Sequence, residues 1–158
     1  MQVTPIRLLQ TNDAAFLALA TLMEEMQAHY RVACPPRAEI VAGLQAMPPG
    51  AEILVAEEHR SVLGFAAFSA IYPGPGLKPG IFLKELYVGG SQRGRGLGRA
   101  LMQKLASLAR ERGLARIDWT VEAENTRLLS FYEELGGTRK TDRLFFRLDG
   151  DALARLAG

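Results

Sequence analysis

The chain has 158 residues, 48% of them apolar and 23% charged, enough to bury one core and short for two, so a single domain over residues 1–158 is expected. Its 19 basic and 17 acidic side chains leave a formal net charge of +2, too little for a global field that would draw the protein onto nucleic acid or an anionic membrane. Cys34 is the only cysteine and His29 and His59 are the only histidines, which excludes an internal disulfide and disfavours a metal site. Met1 to Phe16 holds no apolar run and no membrane span is readable. The expectation is a cytoplasmic protein with no metal, no nucleic-acid partner and no membrane partner.

In chain order, Val3 to Leu9 reads as a strand, and Thr11-Asn12-Asp13 offers cap residues for a helix with Phe16, Leu19, Ala20, Met23, Met26 and Tyr30 at helical spacing. A shorter helix is expected from Arg37 to Met47. Ile53 to Ala56 and Val62 to Phe68 flank a polar turn with Glu57, Glu58 and His59 and read as an antiparallel hairpin. Ile81 to Val88 is a third strand, after the Pro/Gly loop Tyr72 to Gly80. From Leu97 the apolar spacing is helical and stops at Gly113. Ile117, Trp119 and Val121 alternate as in a strand. Asn125 opens a helix through Leu135, Leu144 to Leu148 is a last strand, and Asp149 to Ala157 a terminal helix. Together these elements predict an α+β domain.

The most informative segment is Leu83-Lys84-Glu85-Leu86-Tyr87-Val88, followed by Gly89 to Gln92 and Arg93-Gly94-Arg95-Gly96-Leu97-Gly98-Arg99 at the head of a helix. Glycines at alternate positions let the backbone turn tightly and present successive N–H groups, and the helix start adds unpaired donors, so the loop could cradle a pyrophosphate. It could equally be only a tight corner. The spacing matches neither the dinucleotide fingerprint nor the Gly-Lys-Ser/Thr of a nucleotide P-loop. Arg93, Arg95 and Arg99 can add charge-assisted contacts.

These residues resemble the acyl-CoA-binding motif of the GNAT superfamily, Arg/Gln-x-x-Gly-x-Gly/Ala, and Asn125 with Tyr132 seven residues on resembles the superfamily's next motif. The resemblance covers nearly the whole chain. It implies a GNAT acyl-CoA N-acyltransferase fold, a central mixed, mostly antiparallel twisted sheet flanked by helices. It implies acetyl-CoA as co-substrate, held by the backbone of Leu86, Tyr87 and Val88 along its pantetheine arm and by amides from Arg93 through Gly94, Arg95, Gly96, Leu97 and Gly98 to Arg99 at its pyrophosphate. Asn125 would contact the cofactor arm and Tyr132 would protonate the departing thiolate. By residue chemistry alone Tyr132 is either that acid, since a phenol of pKa about 10 is protonated at neutral pH, or a core aromatic beside Leu128 and Leu135. Asn125 is likewise a ligand contact or a helix cap.

The mechanism expected is direct attack by a neutral amine, with a backbone N–H near Leu86 to Val88 stabilising the developing oxyanion. Glu85 is the best-placed carboxylate for the base and for substrate contact, or else a structural, paired carboxylate. It alternates with Lys84, so the two should face opposite sides of the sheet. The chain is most similar to the branch with diamine and spermidine N-acetyltransferases, where two successive acidic residues stand in place of Lys84-Glu85; the cation here disfavours a polycationic acceptor. A small-molecule amine acceptor is expected, a polyamine, an amino acid or a related amine, with Tyr30 and Tyr72 either lining its pocket or packing. A non-catalytic acyl-CoA sensor, a protein or peptide N-acetyltransferase and a nucleic-acid binder are the rival readings. The resemblance also suggests a homodimer, which exposed Phe145 or Phe146 on the last strand could serve.

Overall fold

A computed structural model describes residues 3–158; Met1 and Gln2, which begin the expected domain, lie outside the described residues. The chain divides into two compact units, the first running to Thr120 and the second Val121–Gly158.

The first unit is built on a five-stranded sheet in the order β1 (Ile6–Leu8), β2 (Ala51–Glu58), β3 (Ser61–Ile71), β4 (Gly80–Val88), β5 (Ile117–Trp119). The first three junctions are antiparallel and β4–β5 is parallel, which gives the mixed, largely antiparallel twisted sheet of an α+β GNAT fold. A parallel neighbour needs a crossover, and α3 (Leu97–Glu111) supplies it. The other two helices are α1 (Phe16–Tyr30) and α2 (Arg37–Gln45).

Helices cover the sheet because its strands are apolar on both faces. In β2, Ile53 and Val55 alternate with Leu54 and Ala56, and all four are buried. Ile53, Val55, Phe65 and Tyr87 form one core with Phe16, Leu19, Leu22 and Met26 of α1. On α3, Leu97, Leu101, Met102, Leu105 and Leu108 are buried, and this helix packs on β2, β3 and β4.

The hairpin strands run longer than the apolar spacing predicts. Glu57 and Glu58 belong to β2, and the turn is His59-Arg60, both at positive φ (48° and 64°), a two-residue geometry for which Asn-Gly is the usual signal. Two bulges shift the register. Ala56 pairs with Gly64 and Glu57 with Val62, which leaves Leu63 as an extra residue in β3. Ala67 pairs with Glu85 and Phe68 with Leu83, which leaves Lys84 as an extra residue in β4.

The second unit holds α4 (Thr126–Glu134) and α5 (Gly150–Ala157). Here two expectations are corrected. Leu144 to Leu148 forms no strand, because a strand needs a neighbour for its backbone groups and among the described residues none pairs with it. Val121 lies beyond β5, whose pairing stops at Trp119. At the other end β1 is shorter than Val3 to Leu9, and Val3 is exposed.

An ion cluster ties β1 to the start of α1. Arg7 donates to both oxygens of Asp13 (2.6 and 2.9 Å) and to Glu57 (2.8 Å), and Asp13 accepts the N–H groups of Gln10 (2.8 Å) and Ala15 (2.9 Å). The Arg7 guanidinium, helped by those amides and opposed by burial, holds the Asp13 carboxyl well below the usual carboxylate range. A carboxyl with a depressed folded-state pKa stabilises the fold above its unfolded value of about 4, and that contribution is lost as pH falls towards the folded value. Asp13→Asn should therefore lower the thermal midpoint at pH 7 by roughly 2–6 °C, with the deficit narrowing below about pH 4. Melting curves of both proteins between pH 3 and 7 read this directly, and a deficit that does not change with pH would be the contrary result.

Candidate active site

The bulge at Lys84 organises the site. Before it, β4 pairs with β5 at Ile81–Ile117, Phe82–Asp118 and Leu83–Trp119, and the Ile81 N–H donates to the Arg116 carbonyl at 2.8 Å. After it, among the described residues, no strand pairs with β4 on that side. The Gly89 N–H donates to the Leu63 carbonyl on the β3 side at 2.9 Å. Because backbone groups alternate along a strand, Leu86 and Val88 direct theirs to the opposite, open edge.

From that edge the chain runs into the glycine loop. A 3-10 turn over Gly90–Gln92 is followed by Gly94 at φ 80° and Gly96 at φ 78°, a left-handed conformation that costs a side-chain-bearing residue about 1–2 kcal/mol. Gly96 caps α3 with its carbonyl, which accepts the Ala100 N–H at 3.0 Å, and has no side chain to satisfy the N–H groups of Leu97, Gly98 and Arg99. A Cβ at Gly94 or Gly96 would meet nothing within 4 Å, so the loop is uncrowded at both positions. Main-chain donors at a helix start suit an anionic group by their chemistry.

The three arginines divide. Arg95 is tied to Gln92 and to both oxygens of Glu58 (3.1 and 3.3 Å), and Glu58 also accepts from Thr4. Arg93 folds back, its Nε on the Val88 carbonyl at 3.2 Å and its guanidinium 5.5 Å from the centre of the Tyr87 ring. These side chains brace the loop, whereas Arg99 is exposed on the first turn of α3. Arg93 and Arg95 thus have partners within the chain.

On the α1 face, side chains converge that the sequence singled out separately. Tyr87 is buried, with His29, Tyr30 and Phe65 at ring-centre distances of 5.9, 6.3 and 6.5 Å. Glu85, half-buried and opposite Ala67, lies two residues away on the same face. Burial raises its carboxyl above the usual range, and Lys84 opposes that rise. The two residues were expected on opposite sides of the sheet; the bulge breaks the alternation and brings Lys84 Nζ to 3.8 Å from Glu85 Oε1.

Glu25 was missed by sequence reasoning. Its Oε1 accepts the Gly90 N–H at 2.7 Å and the Tyr87 hydroxyl at 3.1 Å, so one carboxylate oxygen joins α1 to the end of β4 and the start of the loop. Burial first, and then Glu25, pushes the Tyr87 hydroxyl above its ordinary pKa. Nothing in spacing separates Glu25 from Glu24, which instead pairs with Arg37 at 2.7 Å.

Tyr72 does not join this group. It follows Ile71, which ends β3 and pairs with Gly80, and it lies five residues along the chain from Ala67 of the Ala67–Glu85 pair, about 16 Å at strand rise. In the second unit, Asn125 caps α4, its Oδ1 accepting the Leu128 N–H at 3.2 Å. Tyr132 is half-buried on the same helix with its ring 5.1 Å from that of Phe131.

Among the described residues no three His, Cys, Asp or Glu side chains are grouped to hold a metal, and no helix is long and apolar enough to cross a membrane. The model of the acetyltransferase (GNAT) family matches residues 19–137. L-ornithine N5-acetyltransferase of Arabidopsis thaliana is 32% identical over 92 residues, covering 58% of this chain and 40% of that protein. Thialysine N-epsilon-acetyltransferase of Caenorhabditis elegans is 34% identical over 80 residues, covering 49% of this chain and 50% of that protein. The chain thus spans half or less of these relatives' own length. An integron cassette protein from the mobile metagenome of V. cholerae matches over 99% of both chains with a TM-score of 0.88 and 27% identity. With the family match running from α1 through α4, over more than half of the residues, the chain belongs to the acetyltransferase (GNAT) family.

Proposed function

We propose that this chain is an N-acetyltransferase that moves an acetyl group from acetyl-CoA to the primary amine of a small molecule. The observation that carries the reading is a pair of main-chain donor sets on one stretch of chain, at the open β4 edge (Leu86 and Val88) and at the head of α3 (Leu97 to Arg99). The thioester supplies an activated acetyl group when bound. Leu86 and Val88 would hold the pantetheine arm, and the Leu97, Gly98 and Arg99 amides the pyrophosphate. A Val88 or Leu86 N–H is a preorganised donor for negative charge on the thioester oxygen. Asn125 would contact the arm through its amide, and Tyr132 would deliver a proton to sulfur.

Glu85 is the base in this reading. A carboxyl raised by burial and set beside an aromatic cluster is closer in pKa to the amine it serves than an exposed one. Tyr30 and Glu85 line the acceptor side, and Tyr72 stands apart from it. The names of the two curated relatives, acting on ornithine and thialysine, support an acceptor with a side-chain amine. Lys84 within 3.8 Å of Glu85 weighs against a polyamine, so an amino-acid-like acceptor is favoured over the diamine and spermidine branch. The protein works as one domain, in the cytoplasm, as a homodimer.

The deciding experiment is thiol release from acetyl-CoA by purified protein across a panel of ornithine, thialysine, lysine, tyramine, spermidine and peptides. Turnover is expected with the first three; activity confined to peptides, or none with any amine, would refute the reading. Tyr132→Phe should slow turnover about 10²-fold or more while leaving CoA affinity nearly unchanged, by rapid kinetics and calorimetry. Gly96→Val should do the reverse, weakening CoA binding about tenfold through the strained φ. If Glu85 is the base, the acidic limb of the kcat/KM profile reports it. Lys84→Met removes the charge that lowers its pKa, so that limb should move to higher pH; an unmoved limb would assign the base elsewhere.

A further inference from the structure

The chain carries its positive charge mostly on arginine, and lysine occurs at four positions only: 78, 84, 104 and 140. The difference is chemical. A guanidinium stays protonated at neutral pH, whereas a lysine that gives up its proton is a primary amine and a nucleophile. Lys78 lies in the loop before β4, Lys104 on α3 and Lys140 beyond α4, while Lys84 alone stands on a strand.

Lys84 also stands beside the group that would deprotonate an acceptor. Its Nζ is 3.8 Å from Oε1 of Glu85, the base of the proposed reaction, and the bulge that makes Lys84 an extra residue in β4 brings the two side chains together. The pair holds the ammonium only weakly, because the Lys84 side chain is 68% exposed. Leu86, the nearer of the two residues whose N–H groups would face the thioester, is two positions further along β4. That is about 7 Å at strand rise, a distance that a flexible four-carbon side chain can cover.

We propose that Lys84 is an internal acetyl acceptor: with acetyl-CoA bound and free amine scarce, the chain acetylates its own Lys84. This rests on the reading of the chain as an acetyl-CoA-dependent N-acetyltransferase. The Lys84 ammonium first gives a proton to the Glu85 carboxylate, which passes it to water. The neutral amine then attacks the thioester carbon, the N–C bond forms as the C–S bond breaks, and sulfur leaves with the bonding pair. The thiolate takes up the second proton lost by nitrogen. The products are Nε-acetyl-lysine and CoA as free thiol, with one proton released to solvent, and no other reactant is consumed.

The consequence is a change of acceptor. Acetylation removes the charge at position 84 and leaves Glu85 without its cationic neighbour. The obstacle to a second ammonium on the acceptor goes with it, so the modified chain should favour spermidine over ornithine more than the unmodified chain does.

Peptide mapping by mass spectrometry after incubation with acetyl-CoA alone tests the transfer. Lys84 should be acetylated about tenfold or more ahead of Lys78, Lys104 and Lys140, at a first-order rate that does not change with protein concentration. Glu85→Gln should lose this labelling while keeping its CoA affinity by calorimetry. Equal labelling of all four lysines, a rate constant that rises with protein concentration, or undiminished labelling in Glu85→Gln would overturn the proposal. Lys84→Gln, neutral as acetyl-lysine is, should show a ratio of kcat/KM for spermidine to ornithine about tenfold above that of Lys84→Arg, which keeps the charge; equal ratios would strike the change of acceptor. Protein that turns over free amines and leaves Lys84 unlabelled overturns the internal transfer alone, and protein that does neither overturns the acetyltransferase reading with it. Labelled Lys84 without turnover of any free amine would uphold the transfer and strike the small-amine acceptor.

Discussion

The site depends on one extra residue in one strand. Pairing with β5 ends at Leu83–Trp119, where β5 itself ends, and this leaves the Leu86 and Val88 groups off the ladder. Lys84 breaks the register against β3 at the step where pairing with β5 stops, so the two strands part company there. A buried sheet edge with unsatisfied donors would be costly. An edge that opens on solvent and leads to an anion cradle is instead a place where a ligand can finish the sheet.

Around that edge the protein uses charged side chains mainly to hold main chain in place. Arg95 is anchored to Glu58 at the end of β2, Arg93 to the Val88 carbonyl, and Glu25 draws the Gly90 amide towards α1. Each of these charges is engaged within the chain itself, in a protein with a formal net charge of +2 and no strong field of its own. Donors fixed by backbone geometry carry no rotamer entropy to lose on binding, whereas a long arginine side chain does. Positive φ at Gly94 and Gly96 aims such donors outward.

Much of this was legible in the residues because it rests on local chemistry. The helix from Leu97, its glycine entrance and the α4 cap at Asn125 each follow from spacing and turn chemistry within a few residues. What was not legible depends on pairing between distant segments. Neither Leu63 nor Lys84 carries a mark of being an extra residue; that emerges only when β2, β3 and β4 are laid side by side. The turn at His59-Arg60 lacks the glycine that would have announced it, so Glu57 and Glu58 read as loop. Glu25 acquires a role only because α1 packs over Tyr87. Leu144 to Leu148 is the converse case, a strand by composition that pairs with no strand among the described residues.

The bulge also bears on the acceptor proposed above. In a regular strand a lysine at 84 would project away from Glu85 and act on the acceptor only at a distance. With the register broken, the ammonium stands 3.8 Å from the carboxylate, and the pair shares a partly solvated environment in which opposite charges still sense one another. That proximity works in two directions. It lowers the Glu85 carboxyl from where burial alone would put it, and it offsets part of that carboxylate's negative field. Under the proposed reading, with Glu85 facing the acceptor, an acceptor with a single amine near Glu85 and a neutral or zwitterionic remainder would gain the most from this arrangement, and a polyamine would meet a like charge where it most needs an opposite one.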